Sequence, residues 1–267
     1  FRHLLTHTSS LEEGEALYDT YAVGDPTMTL EEAVTRYFSA NGWSRILGAI
    51  GWSRSQDRYC RHAPGAKECY SNAGYALLGY LVEAISRKPL EEYLQENVYS
   101  ILRMNETSFY IAKLDREKQA YPYTYARSLK RQLSPGDGDG NLLPKGVSPK
   151  VGYNEHALYS YPSLADGMVR TSVSQLANFM IAMMNGGRFE GAQLLREETV
   201  NEMLSGKGLC WFRNGNYWGH DGSDPGCETE IMFSPETKVG FIVFSNAEAN
   251  LKQVKALLMA KAADAAV

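Results

Sequence analysis

Tyr70-Ser71-Asn72-Ala73-Gly74-Tyr75-Ala76-Leu77-Leu78 is the stretch on which the reading of this chain turns. A polar loop ends here and a long apolar helix begins, spanning about residues 72–87. A phenol, a hydroxyl and a carboxamide thus converge at a helix N-terminus. Backbone N–H groups and the positive end of the dipole favour negative charge there. The triplet supports two readings. Ser71 or Asn72 caps the helix, the usual task of those residue types. Alternatively, the three side chains hold a proton-transfer group and grip a substrate amide.

Working outward, Thr29-Leu30-Glu31-Glu32 opens an earlier helix, with Thr29 as N-cap and Glu32 in the capping-box position. Residues 1–8 read as the end of a helix, and 40–69 as a polar loop. Pro89 starts a helix at its tolerated first position. Met104 to Tyr110 reads as extended. Residues 111–160 read as a long aromatic loop, and Gly136-Asp137-Gly138-Asp139-Gly140 within it lacks calcium-ligand spacing and reads as a surface turn. Ser172 or Ser174 caps a helix that stops at Gly186-Gly187, and 196–204 is a shorter helix. Strands are predicted at 207–213, 216–220, 227–233 and 238–245, with Asn214-Gly215 as a hairpin turn. A helix over 248–263 closes the chain. The order predicts an α+β fold: a mostly helical region over 1–204, then antiparallel strands and a covering helix over 205–267, in one integrated domain with a cleft.

Composition narrows the function. The 267 residues are 44% hydrophobic and 22% charged, with a net charge of −4. No basic surface argues for nucleic acid, and runs such as Phe241-Ile242-Val243-Phe244 are too short to span a bilayer. There are four cysteines and no C-x-x-C pair. They fall into two local pairs, Cys60/Cys69 and Cys210/Cys227. Either these are two short disulfides, implying a secreted or periplasmic location, or the four are separate thiols. His62 and His156 lack ligand spacing, and His7 reads as a structural histidine that hydrogen-bonds backbone. No metal site and no cofactor is expected. The cluster of Tyr121, Tyr123, Tyr125, Tyr153, Tyr159 and Tyr161 either lines a groove or packs its own loop.

Three further segments occur in an informative order: Arg2-His3-Leu4-Leu5-Thr6-His7-Thr8-Ser9, Tyr161 to Asn185 with Gly167 to Met180 inside it, and Gly219-His220-Asp221-Gly222-Ser223-Asp224-Pro225-Gly226, the last placed between two predicted strands. With Tyr70-Ser71-Asn72 they make the chain resemble the serine β-lactamase-like hydrolases: class C β-lactamases, penicillin-binding proteins, family VIII esterases and D-aminopeptidases. The resemblance runs over essentially the whole chain. It implies the β-lactamase/transpeptidase-like fold and an acyl-enzyme route on an ester, amide or peptide bond of a small or peptide-like substrate. It also implies roles. Tyr70 would transfer protons, Asn72 would orient the substrate amide, and His220 would supply polarity near the leaving group. Gly222 and the backbone N–H of Ser223 would form one side of the oxyanion hole. His220 stands where many relatives carry a lysine, which favours esterase, amidase or peptidase chemistry over β-lactam hydrolysis.

One family motif is missing. No serine in the 267 residues is followed three positions later by lysine. In the family this Ser-x-x-Lys lies upstream of the His-Leu-Leu-Thr-His-Thr string, which here begins at residue 3. The expectation is that an N-terminal segment carrying the nucleophile and the first strands has been cleaved or left out. The remnant sheet would then expose an edge that this segment or another subunit covers. Without the lysine, Tyr70 should stay protonated, since an ordinary phenol ionises only near pH ~10. Ser71 is a poor substitute nucleophile. The competing reading is a non-catalytic homologue that binds or scaffolds.

Overall fold

Ser71 and Thr29 set the first two long helices, and the computed structural model shows how. It describes residues 1–12, 20–38, 59–126, 142–148 and 150–265. The Gly136–Gly140 run and most of the 40–69 loop lie outside the described residues. After the short helix α1 (Arg2–Leu5) and strand β1 (Ala22–Val23), Thr29 opens α2 (Leu30–Phe38). The capping box forms as expected: Thr29 Oγ1 accepts the Glu32 N–H at 3.1 Å, and Glu32 accepts the Thr29 N–H at 3.0 Å. Helix α3 (Asn72–Ser86) follows, then α4 (Leu90–Leu94) behind Pro89.

These helices share one core. Leu30 and Val34 of α2, Ala76 of α3 and Leu90 of α4 pack with Phe109, Tyr159, Tyr161, Leu164 and Met168. Gly79 makes this possible. A Cβ there would lie 2.3 Å from the Ala165 Cβ, so the bare backbone lets the 164–166 turn press against α3. The segment after α4 carries β2 (Tyr123–Ala126), which pairs with β3 (Gly152–Glu155), and β4 (Tyr159–Ser160), which pairs back with β1. Met104–Tyr110 is not a strand. Its only strand-type pairing among the described residues is a bridge from Ser108 to Arg170, and Met104 and Phe109 are drawn into two different cores.

Helix α5 (Val173–Met184) begins where Ser172 Oγ accepts the Gln175 N–H, and it ends at Gly186 and Gly187, both at positive φ. The hairpin β5 (Arg188–Phe189) to β6 (Ala192–Gln193) and helix α6 (Glu197–Met203) lead into the main sheet. Its strands are β7 (Phe212–Asn214), β8 (Tyr217–Asp224), β9 (Cys227–Ser234) and β10 (Val239–Ser245), antiparallel in the order β10-β9-β8-β7. Helix α7 (Lys252–Ala265) closes the described chain.

Strand alternation sorts the sheet into two faces. Trp218, Ile231, Phe233 and Ile242 pack with Met180, Met183 and Met184 of α5. Tyr217, Met232, Phe241 and Val243 pack with Leu258, Met259 and Ala262 near the chain end. The sheet is therefore a middle layer between helices. Strand β10 lies at one edge, with no strand partner on its outer side among the described residues.

The Gly219–Gly226 segment departs from its expected place between strands. Residues 219–224 make up all but the first two residues of β8, and only Pro225 and Gly226 form the turn. Its glycines had read as loop residues. Gly219 instead sits beneath Met232, where any side chain would collide.

Candidate active site

The N-terminus of α3 splits the two readings of Tyr70-Ser71-Asn72 between its residues. Ser71 is fully buried, and its Oγ accepts the Gly74 N–H at 2.9 Å. It is the N-cap and has no reach into solvent, which removes it as a nucleophile. Tyr70 faces outward and is 51% exposed. Asn72 is half-buried at the first helical position.

His7 positions this corner. It is buried at positive φ, and its Nδ1 accepts the Ser71 N–H at 3.1 Å. That acceptor role places the ring proton on Nε2. The imidazole stacks on Tyr70 with ring centroids 4.1 Å apart and lies 5.0 Å from the Tyr75 ring. Tyr75, one turn into α3, donates its hydroxyl to the Leu5 carbonyl at 3.0 Å. The Cys210 N–H donates to the same carbonyl at 2.8 Å. One peptide oxygen near the start of the chain thus ties α3 to the segment entering β7.

Cys210 in turn carries the connection to β8. Its thiol is close enough to both Tyr75 and His220 for their electrostatics to act on one another. His220 Nδ1 lies 2.5 Å from the Asp221 carbonyl, an acceptor only, so Nδ1 carries a proton. The neighbouring Cys210, with the Asp221 carbonyl, favours the imidazolium against burial and raises the His220 pKa to about 9. Tyr70 and His220, 150 residues apart in sequence, therefore belong to one contiguous cluster. Sequence reasoning missed its linking members, Tyr75 and Cys210. Tyr75 reads as one more apolar helix residue, and Cys210 was expected to pair elsewhere.

That expected pairing is a correction. Cys60 and Cys69 form a disulfide, but Cys210 and Cys227 are free. Cys227 is the cross-strand partner of Asp224, whereas Cys210 lies beside His220. Four residues of strand, about 13 Å, separate His220 from Asp224, and a disulfide needs Cα atoms within about 7 Å. Cys60, His62 and Cys69 also approach one another. With both sulfurs consumed in a disulfide, that group offers no thiolate to a metal.

Gly222 and Ser223 lie on β8 beyond the end of β7, whose last pairing is Phe212 with Gly219. From the closing pair Asp224–Cys227, hydrogen-bonded and non-hydrogen-bonded pairs alternate back along the strand. By that alternation the Ser223 N–H points away from β9, toward an edge with no strand partner among the described residues. A Cβ on Gly222 would sit 2.6 Å from Thr229 Oγ1, so glycine keeps the strand close to β9. The Ser223 hydroxyl donates to Glu228 at 2.7 Å and faces the opposite side from His220.

Asp224 ends the strand in a second buried cluster. It accepts from the Tyr21 hydroxyl at 2.6 Å and from Tyr161 at 3.2 Å. Burial raises its pKa despite those bonds and the nearby Arg170. Arg170 spends its guanidinium on the carbonyls of Phe109, Met168 and Tyr159 and on Ser160 Oγ. Tyr159 and Tyr161 are thus core residues, while Tyr125 and Tyr153 pack edge-to-face on the surface at 5.1 Å. Asp224→Ala would remove the acceptor shared by the buried Tyr161 and the half-buried Tyr21. At ~1–3 kcal/mol for each lost acceptor, an expected loss of about 3 kcal/mol should lower Tm by roughly 8 °C for a domain this size. Calorimetry in a Tyr21→Phe, Tyr161→Phe background should show most of that loss removed.

A cavity of about 410 Å³ is lined by Asp224 together with Met168, Arg170, Gln175, Cys227 and Phe244. It contains neither Tyr70 nor His220, so it is separate from the polar cluster.

Comparison with known proteins agrees with this architecture. The family model described as Beta-lactamase matches residues 1–266. A protein of Escherichia coli K12 named "Putative D-alanyl-D-alanine carboxypeptidase" is 28% identical over 167 residues, 58% of this chain and 37% of that protein. The chain therefore aligns with little more than a third of the length of this curated relative. Among solved structures, D-amino acid amidase from Ochrobactrum anthropi SV3 is similar with a TM-score of 0.68 at 19% identity, over 99% of this chain and 71% of that one. The octameric penicillin-binding protein homologue from Pyrococcus abyssi gives 0.63 at 20% identity, over 97% and 55%. At these identities the structural likeness speaks for the fold.

Proposed function

This chain belongs to the Beta-lactamase family, and we propose that it is part of a serine hydrolase that cleaves an amide bond in a peptide-like substrate through an acyl-enzyme. The observation that carries the reading is the cluster joining Tyr70 at the α3 N-terminus to His220 on β8, beside the outward N–H of Ser223. A phenol at a positive helix end, a cationic imidazole and an edge N–H are the groups an acyl transfer uses for proton movement and oxyanion stabilisation. Asn72 would orient the amide, and Gly222 would keep the backbone near the substrate. The amide class follows from relatives named as a D-amino acid amidase and a D-alanyl-D-alanine carboxypeptidase. An extracytoplasmic location fits the same relatives and the Cys60–Cys69 pair. No described helix is long and apolar enough to cross a membrane.

The nucleophile would come from a Ser-x-x-Lys segment outside these residues. Strand β10 supports this, since its outer edge lacks a strand partner among the described residues and its Phe244 borders the 410 Å³ cavity. An N-terminal fragment or a second subunit adding strands there would cover the edge. The 267 residues by themselves favour the alternative, a non-catalytic binding module, because they contain no Ser-x-x-Lys. A fluorophosphonate probe applied to the full-length protein separates the two. Labelling of a serine upstream of Phe1 is expected, and an unlabelled protein would leave the binding module as the answer.

A further inference from the structure

We propose that the Cys60–Cys69 disulfide is a redox switch that positions Tyr70: a dithiol that reduces it frees the loop holding His7 and Tyr70 together, and reoxidation restores the arrangement. Cys60 and Cys69 act here as positioning residues. Their effect on catalysis rests on the proton-transfer role proposed for Tyr70.

The two cysteines lie 9 residues apart and bracket the loop that delivers the chain to Tyr70. Each donates its N–H to a carbonyl of the segment after α1: Cys69 to His7 at 2.6 Å and Cys60 to Ser10 at 2.8 Å. Both accepting residues are non-glycine at positive φ, 52° for His7 and 63° for Ser10. L-residues seldom hold that conformation unless their surroundings impose it. Between these two bonds the Gly65 N–H donates to the Thr8 carbonyl at 2.7 Å. Buried Ser10 donates its hydroxyl to the His62 carbonyl at 2.6 Å. Residues 7–10 are thus shaped by the loop, and the sulfurs close the loop.

That shape reaches Tyr70 through His7. The His7 ring accepts the Ser71 N–H at 3.1 Å and stacks on Tyr70 at 4.1 Å. Cys69 is also the residue directly before Tyr70. Burial cannot replace the covalent link. From Arg61 to Glu68 only His62 is even half-buried, so the loop has no core of its own. Hydrogen bonds of such an exposed backbone open at little cost. With the disulfide cut, the loop gains freedom, His7 and Ser10 relax from the left-handed region, and the imidazole leaves Tyr70.

Two thiol–disulfide exchanges drive the switch. One thiolate of the dithiol attacks a sulfur of the pair. The Cys60–Cys69 bond breaks, a mixed disulfide with the reagent forms, and the other cysteine leaves as a thiolate that takes up a proton. The second thiol of the reagent then attacks the mixed disulfide. The reagent closes to a cyclic disulfide and the remaining cysteine is released as a thiol. Two electrons and two protons pass from the dithiol to Cys60 and Cys69, and the reverse steps re-form the bond.

Hydrogen exchange of the full-length protein, with and without dithiothreitol, tests the link without reference to activity. Peptides covering 3–11 and 60–72 should exchange about 10- to 100-fold faster after reduction, as opening a loop of this size predicts. Peptides of α5 and of β8 to β10 should not change. Unchanged exchange at 3–11 and 60–72, or equal loosening everywhere, would overturn the proposal. Reduction should also lower kcat for amide hydrolysis at least about tenfold with KM nearly constant, and reoxidation should restore it. In a Tyr70→Phe background reduction should cause no further fall, and a further fall of the same size would overturn the proposal. A Cys60→Ala, Cys69→Ala variant should match the reduced protein and ignore dithiothreitol. If it does not fold, the reduced and reoxidised parent decide. If the oxidised parent hydrolyses no amide, the functional reading fails, and the exchange data alone decide whether the disulfide holds Tyr70.

Discussion

Tyr70→Phe, made in the full-length protein, is expected to reduce amide hydrolysis by about 100- to 10,000-fold in kcat, the usual contribution of a positioned proton-transfer group. The variant keeps the ring and its 4.1 Å stack on His7 and removes only the hydroxyl. Tyr70 is half-exposed, so folding stability should change little. That separation makes the result interpretable. A large fall in kcat with unchanged Tm and little change in KM marks a proton-transfer role. A loss smaller than tenfold would remove Tyr70 from the proposed mechanism and leave it as a wall of the cleft.

A stability loss as large as that of Asp224→Ala is expected from Gly219→Ala. A Cβ at this buried position would lie 2.0 Å from Met232 Sδ and 2.4 Å from the Ile231 carbonyl oxygen. The thioether can swing away, since methionine has three rotatable bonds. The carbonyl cannot, because it belongs to the strand that β8 pairs with along its whole length. Methyl insertion into a packed sheet costs ~1–3 kcal/mol, and the backbone contact puts this case at the upper end, about 3 kcal/mol. Chemical denaturation would measure it. The same variant should disturb His220, the next residue, and so broaden or shift its titration near pH 9 in an NMR experiment. A variant as stable as the parent would show that β8 and β9 have room the packing denies.

Much of the architecture was legible because it rests on local rules. The capping box at Thr29 and Glu32, the Ser172 cap, the glycine stop after α5 and the alternating strands each follow from short-range backbone chemistry. The misread segments share one physical cause. At Gly219–Asp224 the glycines looked like loop residues, yet they sit in a strand because a neighbour presses on them from across the sheet. At Met104–Tyr110 an extended-looking run has its apolar side chains divided between separate cores. Composition and propensity do not report such long-range demands.

The candidate site divides along the same line. Its local motifs, Tyr70-Ser71-Asn72 and His220-Asp221-Gly222, stand out in the sequence because their residue types are unusual where they occur. The sequence alone therefore determined the family resemblance, the order of elements and the absence of Ser-x-x-Lys from these residues. Only the tertiary structure decided that Ser71 is a buried cap while Tyr70 faces outward, since one turn of backbone points adjacent side chains apart. Only it placed Cys210 beside His220 and away from Cys227. That choice rests on strand register, which fixes which residues meet across a sheet and is set by the packing of both faces.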